Sequence, residues 1–319
     1  MPGICARLRE RKNMKYHLIA MIAALFCVSV SALDVNIKPC RQWKKAAKDE
    51  YTLAFDGSAT WPNLRITPVK PLKPGTFYRL RITDKISGNA EMFLIFVDKK
   101  EEKTVKEISF WRGSDQHMER TFYFRTLDAA GPYLSISVDP GEKADIMIRN
   151  IRLEEVHDPG KNLLCCGNFE KGSEFFPMKV SKSKTDIAKV KYVPSQDSIS
   201  GRTSMSLNKA EGKYAEVSTG NLPVIPGKTI EVRFWVKANV PGKIRAILDF
   251  ARKKQNKHLY HSIFYKAEKD WKEFSFEYSV PSDADYTALK DGYCRLRLVI
   301  PADSAAEEVL FDNVEYLIK

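Results

Sequence analysis

The stretch CRLRLVI, residues 294–300, alternates apolar and charged residues from its first position. Cys294, Leu296, Leu298 and Ile300 fall on one side, and Arg295 and Arg297 on the other. A period of two means an extended strand. An apolar side opposed to a charged one means an antiparallel sheet with one face in a core and one in water. The same pattern extends outward through TSMSLNK, KYAEVSTG, TIEVRFWVKA, KIRAILDFAR, KEFSFEYSVP and EVLFDNVEYLI. Gly, Pro, Asn and Asp punctuate these stretches, which predicts an all-β sandwich. The strongest helical stretch is short, Arg41–Lys48.

The first half repeats the order of the second. WPNLRIT and LKPGTFYRLRITDK answer KYAEVST and VIPGKTIEVRFWVKA. EMFLIFVDKK answers IRAILDFARKK, MERTFYFRTL answers WKEFSFEYSV, and YLSISVDP answers CRLRLVIP. The closing strands align Ile148-Arg149-Asn150-Ile151 with Phe311-Asp312-Asn313-Val314. The repeat is domain-sized. It predicts two tandem antiparallel β-sandwich domains, 33–156 and 162–319, joined by the turn-rich linker HDPGK at 157–161.

Arg9, Arg11, Lys12 and Lys15 precede an apolar run from Leu18 to Val30, and small residues follow at Ser31 and Ala32. Residues 1–32 read as a secretory signal peptide, with an uncleaved anchor as the alternative; the run is short for a membrane span. The expected location is secreted, periplasmic or cell-surface, with no stable membrane insertion once the signal is cleaved. Residues 33–319 carry 47 Lys+Arg and 39 Asp+Glu, a net charge of +8. A basic surface favours anionic partners such as acidic glycans, or serves solubility alone. No nucleic-acid-binding motif is present. Cys40, Cys165, Cys166 and Cys294 permit three disulfide connectivities in an exported chain, although a bridge between adjacent cysteines is strained; buried free thiols are the alternative.

NLLCCGNFEKG from Asn162, SISGRTSMSL from Ser198, VIPGKTIEVRFWVKA, DWKEFSFEYSVP and VLFDNVEYL come in this order. Together they resemble the carbohydrate-binding modules of families 4, 9 and 22 over most of residues 162–319. The first half resembles the same group more weakly and lacks the opening motif. The resemblance implies a jelly roll of two antiparallel sheets, a glycan cleft on a concave face and a structural calcium in the second domain. Carried onto this chain, the calcium ligands are Glu170 on the first strand and Asp312 on the last, with Asp197 adding an oxygen. In the first domain Arg149 stands where Asp312 stands in the second. That is either a fixed cation in place of a lost metal or a solvated strand residue.

Sugar binding needs aromatic platforms and polar groups for hydroxyls. In IEVRFWVKA, Arg233, Trp235 and Lys237 share the face opposite Val232, Phe234 and Val236. Trp235 is therefore the expected stacking residue, flanked by two cations suited to an acidic substituent; packing under a loop is its alternative role. Tyr214, Arg295 and Arg297 are expected to line the same face. Trp271 is the weaker second-domain candidate. In the first domain Thr83 takes the Trp235 position, and Trp61 and Trp111, the latter read as a loop-edge residue, are the available platforms. No serine-elbow motif occurs, and His258 and His261 point to opposite faces of a strand. The expected function is non-catalytic binding of a polysaccharide or oligosaccharide. The alternatives are a structural or adhesive cell-envelope protein without sugar affinity and, behind it, a polysaccharide-degrading enzyme.

Overall fold

The computed structural model describes residues 32–57, 61–88, 90–97, 104–112, 116–126, 133–139, 143–157, 162–164, 167–170, 175–177, 189–194, 198–210, 212–250, 259–282 and 293–319. The signal-peptide expectation, the linker residues 158–161, Cys165, Cys166 and Asp197 lie outside these residues.

The first half supplies β1 (Ala32–Leu33), β2 (Val35–Pro39), β3 (Lys44–Ala47), β4 (Glu50–Phe55), β5 (Asn63–Pro68), β6 (Phe77–Ser87), β7 (Glu91–Val97), β8 (Thr104–Arg112), β9 (Met118–Arg125), β10 (Tyr133–Val138) and β11 (Ala144–Val156). The second supplies β12 (Phe175–Pro177), β13 (Lys189–Pro194), β14 (Thr203–Asn208), β15 (Ala215–Thr219), β16 (Leu222–Pro223), β17 (Thr229–Ala238), β18 (Gly242–Phe250), β19 (Leu259–Ala267), β20 (Lys272–Ser279), β21 (Tyr293–Ile300) and β22 (Glu308–Ile318).

The sheets run β3-β4-β11-β6-β9, with β1 also on β11, and β2-β5-β10-β7-β8 in the first half. In the second half they run β13-β14-β22-β17-β20 and β12-β15-β21-β18-β19, with β16 also on β21. The two halves share one strand order, so the fold is duplicated as the sequence repeat predicts. Each half closes its two sheets over its own core. Leu64, Leu80, Leu94 and Ile146 represent the first core, and Val217, Phe234, Leu248, Leu298 and Val314 the second. Residues Ala32–Lys319 form one compact unit. Tyr123 on β9 packs against the second core, and β9 lies beside β16.

The repeated Asn marks one backbone device. On β11, Arg149 pairs with Thr83 and Arg152 with Arg81, so two residues oppose one. On β22, Asp312 pairs with Trp235 and Glu315 with Arg233, the same arrangement. Asn150 and Asn313 sit in these bulges at φ of 55° and 46°. Asn tolerates the left-handed region far better than β-branched neighbours do, which is why it recurs there. In the second half the bulge is also covered. Val314 N–H donates to the Gly167 carbonyl at 2.9 Å, and Tyr316 N–H donates to Asn162 Oδ1 at 2.9 Å. A Cβ on Gly167 would lie 1.8 Å from the Val314 oxygen, so only glycine fits. These contacts are what the NLLCCGNFE opening supplies and the first half lacks.

Two expectations are corrected. Arg41–Lys48 is not helical: Lys44–Ala47 forms an edge strand paired to β4. An eight-residue helix is marginal by itself. Trp43 is buried at 4% exposure and anchors the segment, while its lysines stay in water, as suits an edge. Trp111 is not a loop-edge residue. It lies in β8, buried, with Nε1 donating to Asp84 Oδ2 at 2.6 Å beside Arg120 Nε at 2.5 Å.

Candidate functional site

A cleft of about 810 Å³ opens on the outer face of β15, β21, β18 and β19. Strand register lays its floor in rows. Ser218, Arg297, Ile247 and Ser262 cross the sheet in one row, and Glu216, Val299, Arg245 and Phe264 in the next. Lys243 and Lys266 pair beyond them. The inward partners, among them Val217, Leu298, Ala246 and Leu248, are core residues. The alternation seen in CRLRLVI therefore supplies the cleft, because its floor residues, Arg297, Glu216, Arg245 and Ile247 among them, all take outward positions of strands over this core.

The floor is held by one buried ionic cluster. Arg297 Nε and Nη2 donate to the two oxygens of Glu216 at 2.6 and 2.7 Å, and Nη1 donates to Asp249 Oδ2 at 3.3 Å. Burial opposes the Arg297 charge, but the hydrogen bonds and charge of Glu216, then Asp249 and Tyr260, outweigh it and raise its pKa. Arg295 Nε donates to Asn221 Oδ1 at 2.9 Å. Above the floor stand two exposed rings, Phe264 at 59% and Tyr214 at 38%. They lie on opposite flanks of the cleft, three strand spacings or roughly 14 Å apart. Arg245 lies with its guanidinium 5.2 Å from the Phe264 ring centre, and its Nη2 donates to Ser262 Oγ at 3.0 Å. Lys243 pairs with Asp303 at 2.8 Å and Lys266 with Glu268 at 3.0 Å. The hydrogen bond and charge of Lys243 hold Asp303 below the usual carboxylate range.

The six residues expected on one glycan face occupy two sheets. Tyr214 and Arg297 line the cleft, and Arg295 shares the outward side of β21. Arg233, Trp235 and Lys237 lie on β17, in the other sheet of the same sandwich. Parity places side chains on a face but does not say which sheet a strand joins. Trp235 is half-buried, opposite Glu273 and Asp312. Its neighbour Arg233 is paired with Glu231 at 2.9 Å, and Lys319 bridges Glu231 and Glu277 at 3.0 and 2.7 Å. That face carries its own carboxylates, which offset the cations expected to favour an acidic substituent. Trp271 is half-buried just before β20. Trp61 is half-exposed, 5.7 Å from Phe93. The sequence reading does not single out Phe264, Arg245, Glu216 or Asp249. Parity puts them outward, but only the strand order makes them converge.

Glu170 and Asp312 come together around the 198–203 turn. Asp312 is fully buried, its Oδ2 accepting from Ile199 and Ser200 N–H at 2.8 and 3.1 Å and its Oδ1 from Asn313 N–H at 2.7 Å. Burial pushes the Asp312 carboxyl up, three backbone donors pull it down, and the Glu170 charge adds to the rise. Glu170 lies in a turn, not on a strand, and its Oε1 accepts from Arg202 and Thr203 N–H, both at 2.6 Å. Gly201, at φ of 68°, lets that carboxylate approach: a Cβ there would meet it at 2.5 Å. Two carboxylates of like charge, one of them buried, form an oxygen set that fits a hard cation, with Glu170 Oε2 outside these bonds. Among the described residues no group of three or more His, Cys, Asp or Glu gathers as a metal site. In the first half Arg149 is half-buried, with Nε buried and unpartnered. Cys294 is a buried free thiol, pushed up to about 12 by burial, and Cys40 is also free.

No family model matches the chain, and no curated protein matches it. Solved structures similar to it include the tandem CBM22-1-CBM22-2 domains of Paenibacillus barcinonensis Xyn10C, at 12% identity and TM-score 0.36, covering 91% of this chain and 93% of that one. The carbohydrate-binding module TmCBM61, in complex with beta-1,4-galactotriose, matches at 15% identity and TM-score 0.37, over 50% of this chain and 99% of its own. A Stig cyclase, Fisc from Fischerella sp. TAU, matches at 16% identity and TM-score 0.40, over 51% and 98%. Likenesses at these scores carry no argument for function, which rests on the side chains themselves.

Proposed function

We propose that this chain is a non-catalytic glycan-binding protein whose ligand lies in the cleft over β15, β21, β18 and β19. One observation carries the reading: two exposed rings, Phe264 and Tyr214, flank an open cleft with a rigid polar floor. Sugars present C–H faces to aromatic rings and hydroxyls to fixed donors and acceptors, and this cleft offers both. Its volume falls in the range of small-ligand sites. The floor is preorganised, since Arg297 is locked by Glu216 and Asp249 before any ligand arrives.

Among the described residues, the two carboxylates lining the cleft favour binding over hydrolysis. Glycoside hydrolysis needs one carboxylic acid with a proton to give. Glu216 has both oxygens on Arg297, and Asp303 is held ionised by Lys243. Neither is arranged as that acid. We further propose calcium between Glu170 and Asp312, where a cation would relieve their mutual repulsion and tie the 198–203 turn to β22. A glycan array tests the function. The full chain should bind a defined set of polysaccharides, and Phe264→Ala combined with Tyr214→Ala should abolish that binding without unfolding. Undiminished binding by the double variant would overturn the proposal.

A further inference from the structure

Among the described residues the cleft holds four cations, Lys243, Arg245, Lys266 and Arg297, and they are not equivalent. Arg297 is bound on three edges by Glu216 and Asp249. Lys243 and Lys266 each have a carboxylate partner, Asp303 and Glu268. Arg245 has none among the described residues. Its contacts are a neutral hydroxyl, Ser262 Oγ, and the face of the Phe264 ring, and its Nε is buried without a hydrogen-bond partner. A half-buried guanidinium without a counter-ion has lost hydration and received only weak compensation. An oxyanion on its remaining edge would supply what the protein does not.

Position says what that oxyanion belongs to. Arg245 and Phe264 are directly paired across β18 and β19 with the guanidinium over one ring face, so a sugar on the other face meets Arg245 only through a substituent that reaches past the ring edge. We infer that Arg245 reads an anionic substituent, a carboxylate or a sulfate, on the sugar stacked against Phe264. The cleft thus selects acidic over neutral glycans. This rests on the glycan-binding reading of the same cleft and adds the substrate class. The selectivity is local. It comes from one uncompensated side chain and not from the net basic charge of the protein.

The test uses the full chain and two matched pairs of immobilised polysaccharide: dextran with dextran sulfate, and methyl-esterified with de-esterified homogalacturonan. Wild type should bind the charged member of at least one pair more tightly, and the pair that responds identifies sulfate or carboxylate. Arg245→Gln should weaken binding to that charged member about tenfold or more, and binding to its neutral partner by far less. Arg245→Lys, which keeps the charge and guards against a folding artefact, should retain part of the preference. Lys228→Gln removes the same charge at an exposed residue outside the cleft. Its effect should stay below about twofold, as expected for a screened distant charge. Equal losses in Arg245→Gln and Lys228→Gln, or equal wild-type binding to charged and neutral members, would overturn the inference while leaving the glycan reading intact. No binding to any of the four, or binding that survives Phe264→Ala combined with Tyr214→Ala, would overturn both.

Discussion

Replacing Arg297 by Met removes the side chain that bonds both oxygens of Glu216. Glu216 is 4% exposed and would remain buried without its cation, while Asp249, 8% exposed, would lose one contact. Breaking a buried pair from one side costs about 3–5 kcal/mol, because the surviving charge stays desolvated. The Arg297 side chain is itself 21% exposed, which lets water reach part of the gap and places the loss near the lower end, about 3 kcal/mol. For a protein of this size that lowers the melting temperature by roughly 6–12 °C. Adding Glu216→Gln should return much of the loss, since the charge stranded by the substitution is then gone. Chemical denaturation of the four members of the cycle measures both effects. A loss below about 1 kcal/mol that Glu216→Gln does not change would show that the cluster is solvated and does not form a rigid floor.

Other outcomes follow from the same contacts. Asp312→Ala strips the acceptor from three backbone N–H groups and should cost about 2–4 kcal/mol in denaturant titration. In wild type without metal, the raised Asp312 pKa means that this group's contribution to stability falls as pH rises from its unfolded value through the folded one. Added calcium should raise the melting temperature of wild type and not that of Asp312→Ala, and coincident scans with calcium and with chelator would remove the metal from the account. Trp235→Ala should leave glycan affinity within about twofold, since its sheet is not the cleft sheet, and a tenfold loss on the array would move the site to β17. The segments 33–156 and 162–319 should each fold when expressed alone, because each has its own core; failure of the second segment alone would point to dependence on Tyr123.

Much of the fold is legible in the sequence. CRLRLVI shows which side of β21 is core by a period of two that holds through Leu298, and the Asn150 and Asn313 match reports a shared bulge, because few residues accept a positive φ there. The candidate site is legible only in part. Arg297 and Tyr214 are expected and line the cleft, whereas Trp235 carries a strong local signal and lies on the other sheet. Alternation gives a face relative to the strand's own sheet, and the sheet to which a strand belongs is set by long-range pairing. Arg245 shows the same limit. Nothing in KIRAILDF says that its neighbours on β21 and β19 bring no carboxylate to it. Arg41–Lys48 misleads for a related reason, because a free edge on β4 outweighs weak local helicity.

The central claim is that a glycan occupies the face of β15, β21, β18 and β19. Hydrogen–deuterium exchange of the full chain, with and without a saturating polysaccharide fragment taken from the array, addresses it directly. The account predicts slowed exchange in residues 214–219, 243–249, 260–266 and 295–301, with 230–238 and 272–279 unchanged. Slowing confined to 230–238 and 272–279 would contradict it.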